Sequence, residues 1–285
     1  MSDKTIAIIQ RNSQPLEPIP TGLDIKLERL SGMEAIMFDI YGTLFISGSG
    51  DVGHAAANPT LESLVSAGSA IEVDFAEAGD SVLESFYETI RESHRRSKAE
   101  GIEFPEVEIL EIWRETLTDY QLADSRICEL AVEFESRSNP VWPMPFLKDT
   151  LLQLKKNFPM GIISNAQFFT VDLFEALLDE KRGDLGFDAE LEVFSYAERN
   201  AKPGKAIFET AVKRLAKRGI RPEKVLYVGN DMLNDIRGAQ LVGFRTALFA
   251  GDRRSLRLRK EDERVDGIEP DIIVNCLSQI PECLN

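Results

Sequence analysis

From Asp149 onward the chain alternates amphipathic runs with short, almost purely apolar ones: "LKDTLLQLKKNF", "MGIIS", "FTVDLFEALLDE", "ELEVFSY", "KAIFETAVKRLAKRG", "KVLYVG", "DIRGAQLVG", "RTALFA" and "DIIV". The longer runs repeat apolar residues at helical spacing, and the shorter ones have the length and composition of buried strands. Strand and helix in alternation restrict the chain to parallel pairing through right-handed crossovers. An earlier apolar stretch, "AIMFDIYGTLF" at 35–45, adds a strand that ends on Asp39 and turns at Gly42-Thr43. The expected fold is α/β: a doubly wound, Rossmann-like parallel sheet.

The sequence between that first strand and Asp149 follows another rule. "DFAEAGDSVLESFYETIRESHRRSKAE", "PEVEILEIWRETLTDY" and "DSRICELAVEFESRS" are helical periods with no strand signal, and Val107, Leu110, Trp113 and Leu117 give the second an apolar face. They predict an all-helical insertion over residues 48–140. The chain enters it through the Gly/Ser/Ala-rich "SGSGDVGHAAANP" and leaves through the hinge "NPVWPMPF", whose Trp142 and Phe146 read as core aromatics. Residues 33–47 and 141–285 then make up the α/β core. Residues 1–32 form an N-terminal extension of uncertain order, interrupted by Pro15, Pro18 and Pro20, with a short strand possible at Thr5–Ile9. The basic run "RRSLRLRK" is followed at once by "EDE" and reads as a solvated surface segment.

Charge narrows the partners. The chain has 33 basic and 48 acidic residues, a net charge of −15, which argues against a nucleic-acid partner, since phosphate-backbone binding rests on clustered Lys and Arg. No apolar run approaches the roughly 18 residues of a spanning helix, and the N-terminus lacks the basic start and apolar core of a secretory signal. No membrane association and a cytoplasmic location are the expectations. Cys128, Cys276 and Cys283 are too few and too scattered for a disulfide framework or a zinc site.

Polar residues stand just past the apolar segments at four places: Asp39 with Thr43 behind it, Ser164-Asn165 after "MGII", Lys202 in "NAKPGKAIF", and Asn230, Asp231 and Asp235 in "VGNDMLNDIRGA". Parallel strands deliver such loops to one rim of the sheet, where open α/β folds bind their ligands. Any one alone is more often a helix cap; four in this order are a candidate site.

In "FDIYGTL", "IISN", "AKPGKAIF" and "VGNDMLNDIRGA", in that order, the chain resembles the haloacid dehalogenase superfamily of aspartyl-nucleophile hydrolases over about residues 33–250, and the helical block stands where that family inserts its cap. The resemblance implies Asp39 as a covalent nucleophile, Ser164 and Lys202 as catalytic partners binding the transferred group, and Thr43, Asn165 and Tyr41 as substrate-binding. It also implies Mg²⁺ held by Asp39, the Tyr41 carbonyl, Asp231 and Asp235. Whether Asn230 or Asp231 faces the metal stays open, with Asp231 favoured. A carboxylate attacking a phosphoryl anion meets like-charge repulsion, so a lysine and a divalent cation beside it are physically reasonable.

Tyr41 divides the possible reactions. Phosphatases of the family carry Asp there as acid and base, help worth about 10²–10⁴ in rate, and an unperturbed phenol with a pKa of about 10 is a poor substitute. The 2-haloacid dehalogenase branch carries Tyr, and halide leaves without a proton. The acidic last motif leans the other way, towards Mg²⁺. The favoured reading is a Mg²⁺-dependent phosphatase or phosphotransferase on a small anionic metabolite. The alternatives are a 2-haloacid dehalogenase and a catalytically weak binding protein. Polar contributors from the helical block would be His54, Arg91, His94, Arg95 and Arg96.

Overall fold

The computed structural model describes residues 2–49 and 61–284. β1 (Ala35–Phe38) is buried along its whole length, and its side chains alternate between two cores as a pleated strand requires. Ile36 and Phe38 join the apolar cluster on one face of the sheet, and Ala35 and Met37 join the other. β1 pairs in parallel with β4 (Met160–Ser164) and β6 (Val225–Gly229). With β5 (Phe187–Phe194), β7 (Arg245–Phe249) and β8 (Ile272–Val274) they form a six-stranded parallel sheet, ordered β5-β4-β1-β6-β7-β8. α6 (Leu147–Leu154) and α7 (Leu173–Leu178) cover one face, and α10 (Lys205–Ala216) with the short α11 (Gly238–Gln240) covers the other. Two further one-turn helices, α8 (Arg182–Leu185) and α9 (Ser195–Glu198), flank β5. The strand order jumps between β4 and β6 across β1, so the carboxyl ends of those three strands form the crevice in which such sheets bind ligands.

Between β2 (Phe45–Ser47) and β3 (Val141–Pro143), which pair antiparallel, lie α2 (Leu61–Ala70), α3 (Gly79–Ala99), α4 (Ile109–Thr116) and α5 (Asp124–Ser138). The helix α2 has no counterpart in the three helical periods read from sequence. These helices share an apolar core of their own, in which Trp113 stacks on Phe86 at 4.2 Å between ring centroids. The "NPVWPMPF" hinge contains a strand, and its Phe146 is 60% exposed rather than a core residue. Most of the Gly/Ser/Ala linker, with His54, lies outside the described residues.

The extension departs most from expectation. Ser2–Asn12 is a helix, α1, and not a strand. Thr5, Ile8 and Ile9 are buried on one helical face, and the helix packs against both α5 and α7. Arg11 and Asn12 bond the fully buried Glu133 of α5, while Gln10 donates to the Ala176 carbonyl of α7 at 3.1 Å. Tertiary burial decides the conformation of a segment this short. Residues 13–30 then run without regular secondary structure apart from Lys26, which bridges antiparallel to Ile273 of β8. No helix among the described residues is long and apolar enough to cross a membrane.

Candidate active site

Asp39 is the first residue past β1, and its amide still donates to the Val228 carbonyl at 2.9 Å, so the sheet itself holds it in place. The chain then turns on Gly42, whose φ of +79° is open to glycine at no steric cost. A Cβ there would also sit 2.5 Å from the Cβ of Ser255. The Asp39 carboxylate is 5% exposed. Its Oδ1 accepts from Ser164 Oγ at 2.8 Å and from Lys202 Nζ at 2.7 Å. Both bonds fall on Oδ1, which leaves Oδ2 as the oxygen available to the pocket. Ser164 closes β4 and serves Asp39, not a helix end.

Lys202 joins two carboxylates. Its Nζ donates to Asp235 Oδ1 at 2.6 Å as well as to Asp39, with Tyr227 OH at 3.2 Å. Asn165 pins the lysine by its main chain, accepting from Lys202 N at 2.8 Å and donating to Lys202 O at 3.2 Å. Burial pulls the ammonium pKa down, but Asp235 and Asp39 outweigh it and hold the group above its ordinary value. Burial raises the Asp235 carboxyl above its usual range, with Lys202 opposing. Asp235 is fully engaged: Oδ1 takes Lys202 and the Tyr227 hydroxyl, and Oδ2 takes the amides of Asn230 and Asp231, both at 2.9 Å. Gly229 permits this, since a Cβ on it would lie 2.4 Å from Asp235 Cβ.

The remaining loop residues separate. Asp231 caps the π-helical turn Met232–Arg237 through the amides of Leu233 and Asn234, and its carboxylate is paired with Arg259 at 2.6 Å. Asn230 is the one that faces the first motif: its Oδ1 accepts from Thr43 Oγ at 2.9 Å, and its Nδ2 donates to the Ser255 carbonyl at 2.7 Å. A hard cation needs several oxygens directed at one point. Among the described residues no three of His, Cys, Asp or Glu form such a group, so Asp39, Asp231 and Asp235 as arranged do not fit Mg²⁺. Asn230→Asp places a carboxylate where the amide now faces Thr43 and turns an oxygen on the Ser255 carbonyl. The expected result is a loss of about 1–3 kcal/mol in metal-free buffer. Thermal unfolding with and without Mg²⁺ should show a larger metal-induced rise for this variant than for the natural chain.

Tyr41 is turned away from proton chemistry. Its hydroxyl lies 3.0 Å from Thr170 Oγ1, and burial, with Glu135 and Asp39 adding to it, raises the phenol far above its ordinary value. It walls two cavities at once. One is a small void shared with Ile9, Val132, Glu135, Asn139 and Phe169. The other, about 60 Å³, is the site itself, lined by Asp39, Asn165, Lys202, Asn230, Asp231 and Asp235 together with Ser47, Asn234, Ser255 and Arg257. About 10–15 Å³ on that scale holds one water, so the space suits a group the size of phosphate or a short acid.

Sequence reasoning missed Tyr227, Ser255 and Arg257. A lone hydroxyl in the buried strand "VLYVG" was a signal for the first. The other two lie in "RRSLRLRK", which is not a solvated segment: the Arg257 amide donates to the Asn230 carbonyl, and its own carbonyl accepts from the Met232 amide. Among the described residues, Arg91, His94, Arg95 and Arg96 of the helical block are not part of the pocket lining. Arg91 and Arg95 pair with Glu88 on their own helix, Arg96 lies 3.6 Å from Glu115, and His94 is half-buried beside Lys98.

Residues 33–243, from just before β1 to just before β7, match the family model of the haloacid dehalogenase-like hydrolases. The chain belongs to that family. Among curated relatives, this hydrolase is 32% identical over 144 residues to a glyceraldehyde 3-phosphate phosphatase of Methanothermobacter thermautotrophicus, covering 50% of its own length and 58% of the relative's. It is 32% identical over 126 residues to the Methanopyrus kandleri protein of the same name, covering 44% and 51%. The chain thus spans little more than half the length of these relatives. Among solved structures it resembles the 2-haloacid dehalogenase of Pseudomonas syringae pv. Tomato, with a TM-score of 0.54 at 21% identity over 88% of this chain and 97% of that one. A dehalogenase captured as an intermediate complex gives a TM-score of 0.51 at 18% identity over 90% and 98%. At such identities the likeness establishes the fold alone.

Proposed function

We propose that this hydrolase is a phosphatase of small phosphorylated metabolites, with Asp39 as its nucleophile. The observation that carries the reading is the pair of donors on Asp39 Oδ1, Ser164 and Lys202, which orient the carboxylate and leave Oδ2 for attack. Oδ2 forms the bond to phosphorus as the ester P–O bond breaks, and the leaving oxygen departs with the electron pair. Water then cleaves the aspartyl phosphate, restoring the carboxylate and releasing phosphate. Lys202 sits where it offsets negative charge on the transferred group, the kind of fixed charge that acts most strongly in a buried site. Tyr41 does not supply the proton a poor leaving group needs, so acyl and anomeric phosphates should outrun alkyl ones. The two phosphatase-named relatives support the class of reaction. The helices of residues 61–138 would act as a cap over the rim, excluding water. Gln167, just past β4, accepts from the Ile109 amide of α4 at 3.0 Å and ties that unit to the site.

Trapping during turnover decides the nucleophile. Acid quench followed by borohydride reduction converts an aspartyl phosphate to homoserine, and the mass change should fall on the peptide carrying Asp39. Phosphate release during turnover with that peptide unmodified would mean that water attacks without an aspartyl intermediate.

Dehalogenation of a small 2-halo acid is the second reading. Tyr41, together with the engagement of Asp231 and Asp235, favours it, since halide needs neither a proton nor a metal. Halide release from 2-halo acids, with no turnover across sugar, acyl and alkyl phosphates, would replace the first reading with this one.

A further inference from the structure

We propose that Glu106 is a positioning residue: from the helical block it braces, through Ser195, the two loops that bring Ser164 and Lys202 to Asp39. This rests on Asp39 as the reacting carboxylate, which both readings of the reaction share.

Glu106 stands in "FPEVE", between α3 and α4. That stretch lies along the segment that leads into Lys202. Pro105 bridges antiparallel to Asn200, the Ala201 amide donates to the Phe104 carbonyl at 2.8 Å, and the Glu106 amide donates to the Arg199 carbonyl at 3.2 Å. Phe104 also closes on Gly204, where a Cβ would come within 3.1 Å of its ring. The main chain on both sides of Lys202 is thus held by the helical block.

The Glu106 side chain reaches the second loop. Its Oε2 accepts from Ser195 Oγ at 2.8 Å, and the same Oγ accepts from the Ala166 amide at 3.0 Å. A serine hydroxyl has one hydrogen to give. The carboxylate takes it, since the competing Ala166 carbonyl lies at 3.4 Å, and a lone pair of Oγ is left for the Ala166 amide. Ser195 is fully buried, where such a chain of hydrogen bonds strengthens its own members. Ala166 follows Ser164-Asn165, and Asn165 is bonded twice to the Lys202 main chain. One side chain therefore steadies both donors to Asp39 Oδ1. Burial raises the Glu106 carboxyl above its usual range, with Ser195, the Val107 amide and Arg199 opposing. A contact that only filled space would be made at lower cost by a neutral group.

The test uses Glu106→Ala, Glu106→Gln, Ser195→Ala and the Glu106→Ala/Ser195→Ala double variant, on whichever substrate the natural chain turns over. A misplacement of about 1 Å among reacting groups can cost about a hundredfold. Glu106→Ala and Ser195→Ala should each lower kcat by about ten- to a hundredfold, with KM changed by less than about threefold. Glu106→Gln, whose side-chain oxygen can still accept from Ser195, should recover much of the loss. The double variant should fall no further than the worse single one, because both act through one link. Glu111→Gln breaks the exposed Arg199–Glu111 pair, which joins the same two parts of the chain, and should leave kcat within about twofold. An equal loss in Glu111→Gln would reduce Glu106 to a tether, and additive losses or a change confined to KM would also overturn the brace.

Amide hydrogen exchange reads the brace without substrate. In Glu106→Ala the Ala166 and Lys202 amides should exchange at least about tenfold faster than in the natural chain, and unchanged rates at both overturn the proposal. Circular dichroism checks folding, and Glu106→Asp, too short to reach Ser195, takes the place of Glu106→Ala if that variant does not fold. Should neither phosphate esters nor 2-halo acids turn over, the reading of the reaction falls by itself, and the exchange rates decide the brace.

Discussion

Lys202→Met should lower the activity by about a hundred- to a thousandfold and also leave the protein some 3–5 kcal/mol less stable at neutral pH. On the proposed reading the activity loss follows from withdrawing the buried cation that would offset charge on the transferred group, where a single fixed donor is worth about 10²–10³. The stability loss has a different origin. Asp39 and Asp235 are 5% and 1% exposed, and Lys202 bridges them at 2.7 and 2.6 Å. Removing one partner of a buried ion cluster leaves uncompensated charge at about this cost. The variant should recover as pH falls. Burial already holds the Asp235 carboxyl above its usual range against the opposing pull of Lys202, so without that cation folding takes up a proton and the deficit shrinks as pH falls. Urea unfolding at pH 5 and pH 8 reads the stability, and kcat on the best phosphate ester, measured on the folded fraction, reads the chemistry. A variant as stable as the natural chain at pH 8 would mean that the two aspartates do not depend on Lys202 for compensation.

That cluster shows why the site was largely legible before the fold was known. Asp39, Ser164, Lys202 and Asp235 each follow an apolar run whose end can be read, and parallel connectivity brings strand ends to one rim. What the residue order does not contain is the direction of a side chain in a tight loop. Asn230 and Asp231 are adjacent, yet one meets Thr43 and the other turns to Arg259. That choice depends on a partner 28 residues further on. Like charges in "RRSLRLRK" look solvated because a run of them repels itself. Here the run is threaded against an acidic loop, with Asp231 and Asp252 taking up Arg259 and Arg254. The helix α1 was illegible for a related reason. Eleven residues carry too few local hydrogen bonds to declare a helix alone, and the apolar face of Thr5, Ile8 and Ile9 gains its meaning only from α5 and α7.

Glu135→Gln should stabilise the protein at pH 8 and do little at pH 5. The Glu135 residue keeps some accessible surface, but its carboxyl faces a void of about 10 Å³ walled by Ile9, Tyr41, Val132, Phe169 and Leu173, room for about one water. Burial pushes this carboxyl up to about 7, with the Asn139 side chain lowering it only in part. Facing it are two phenols, Tyr41 and Tyr87, whose own ionisation Glu135 opposes. A cation is absent from the groups that shift it. The folded pKa therefore lies above the unfolded value of 4.5. The native state holds this proton more tightly, and the associated stability is present in full below pH 4.5 and is lost as pH rises through 7. The loss amounts to roughly 2–3 kcal/mol after discounting the partial accessibility. Glutamine keeps the shape and never ionises, so the variant should unfold some 5–10 °C higher at pH 8, on a scale of about 2–4 °C per kcal/mol for chains approaching this size. The natural chain and the variant should nearly coincide at pH 5. Equal midpoints at both pH values would show that the Glu135 carboxyl is solvated and ionised in the native state.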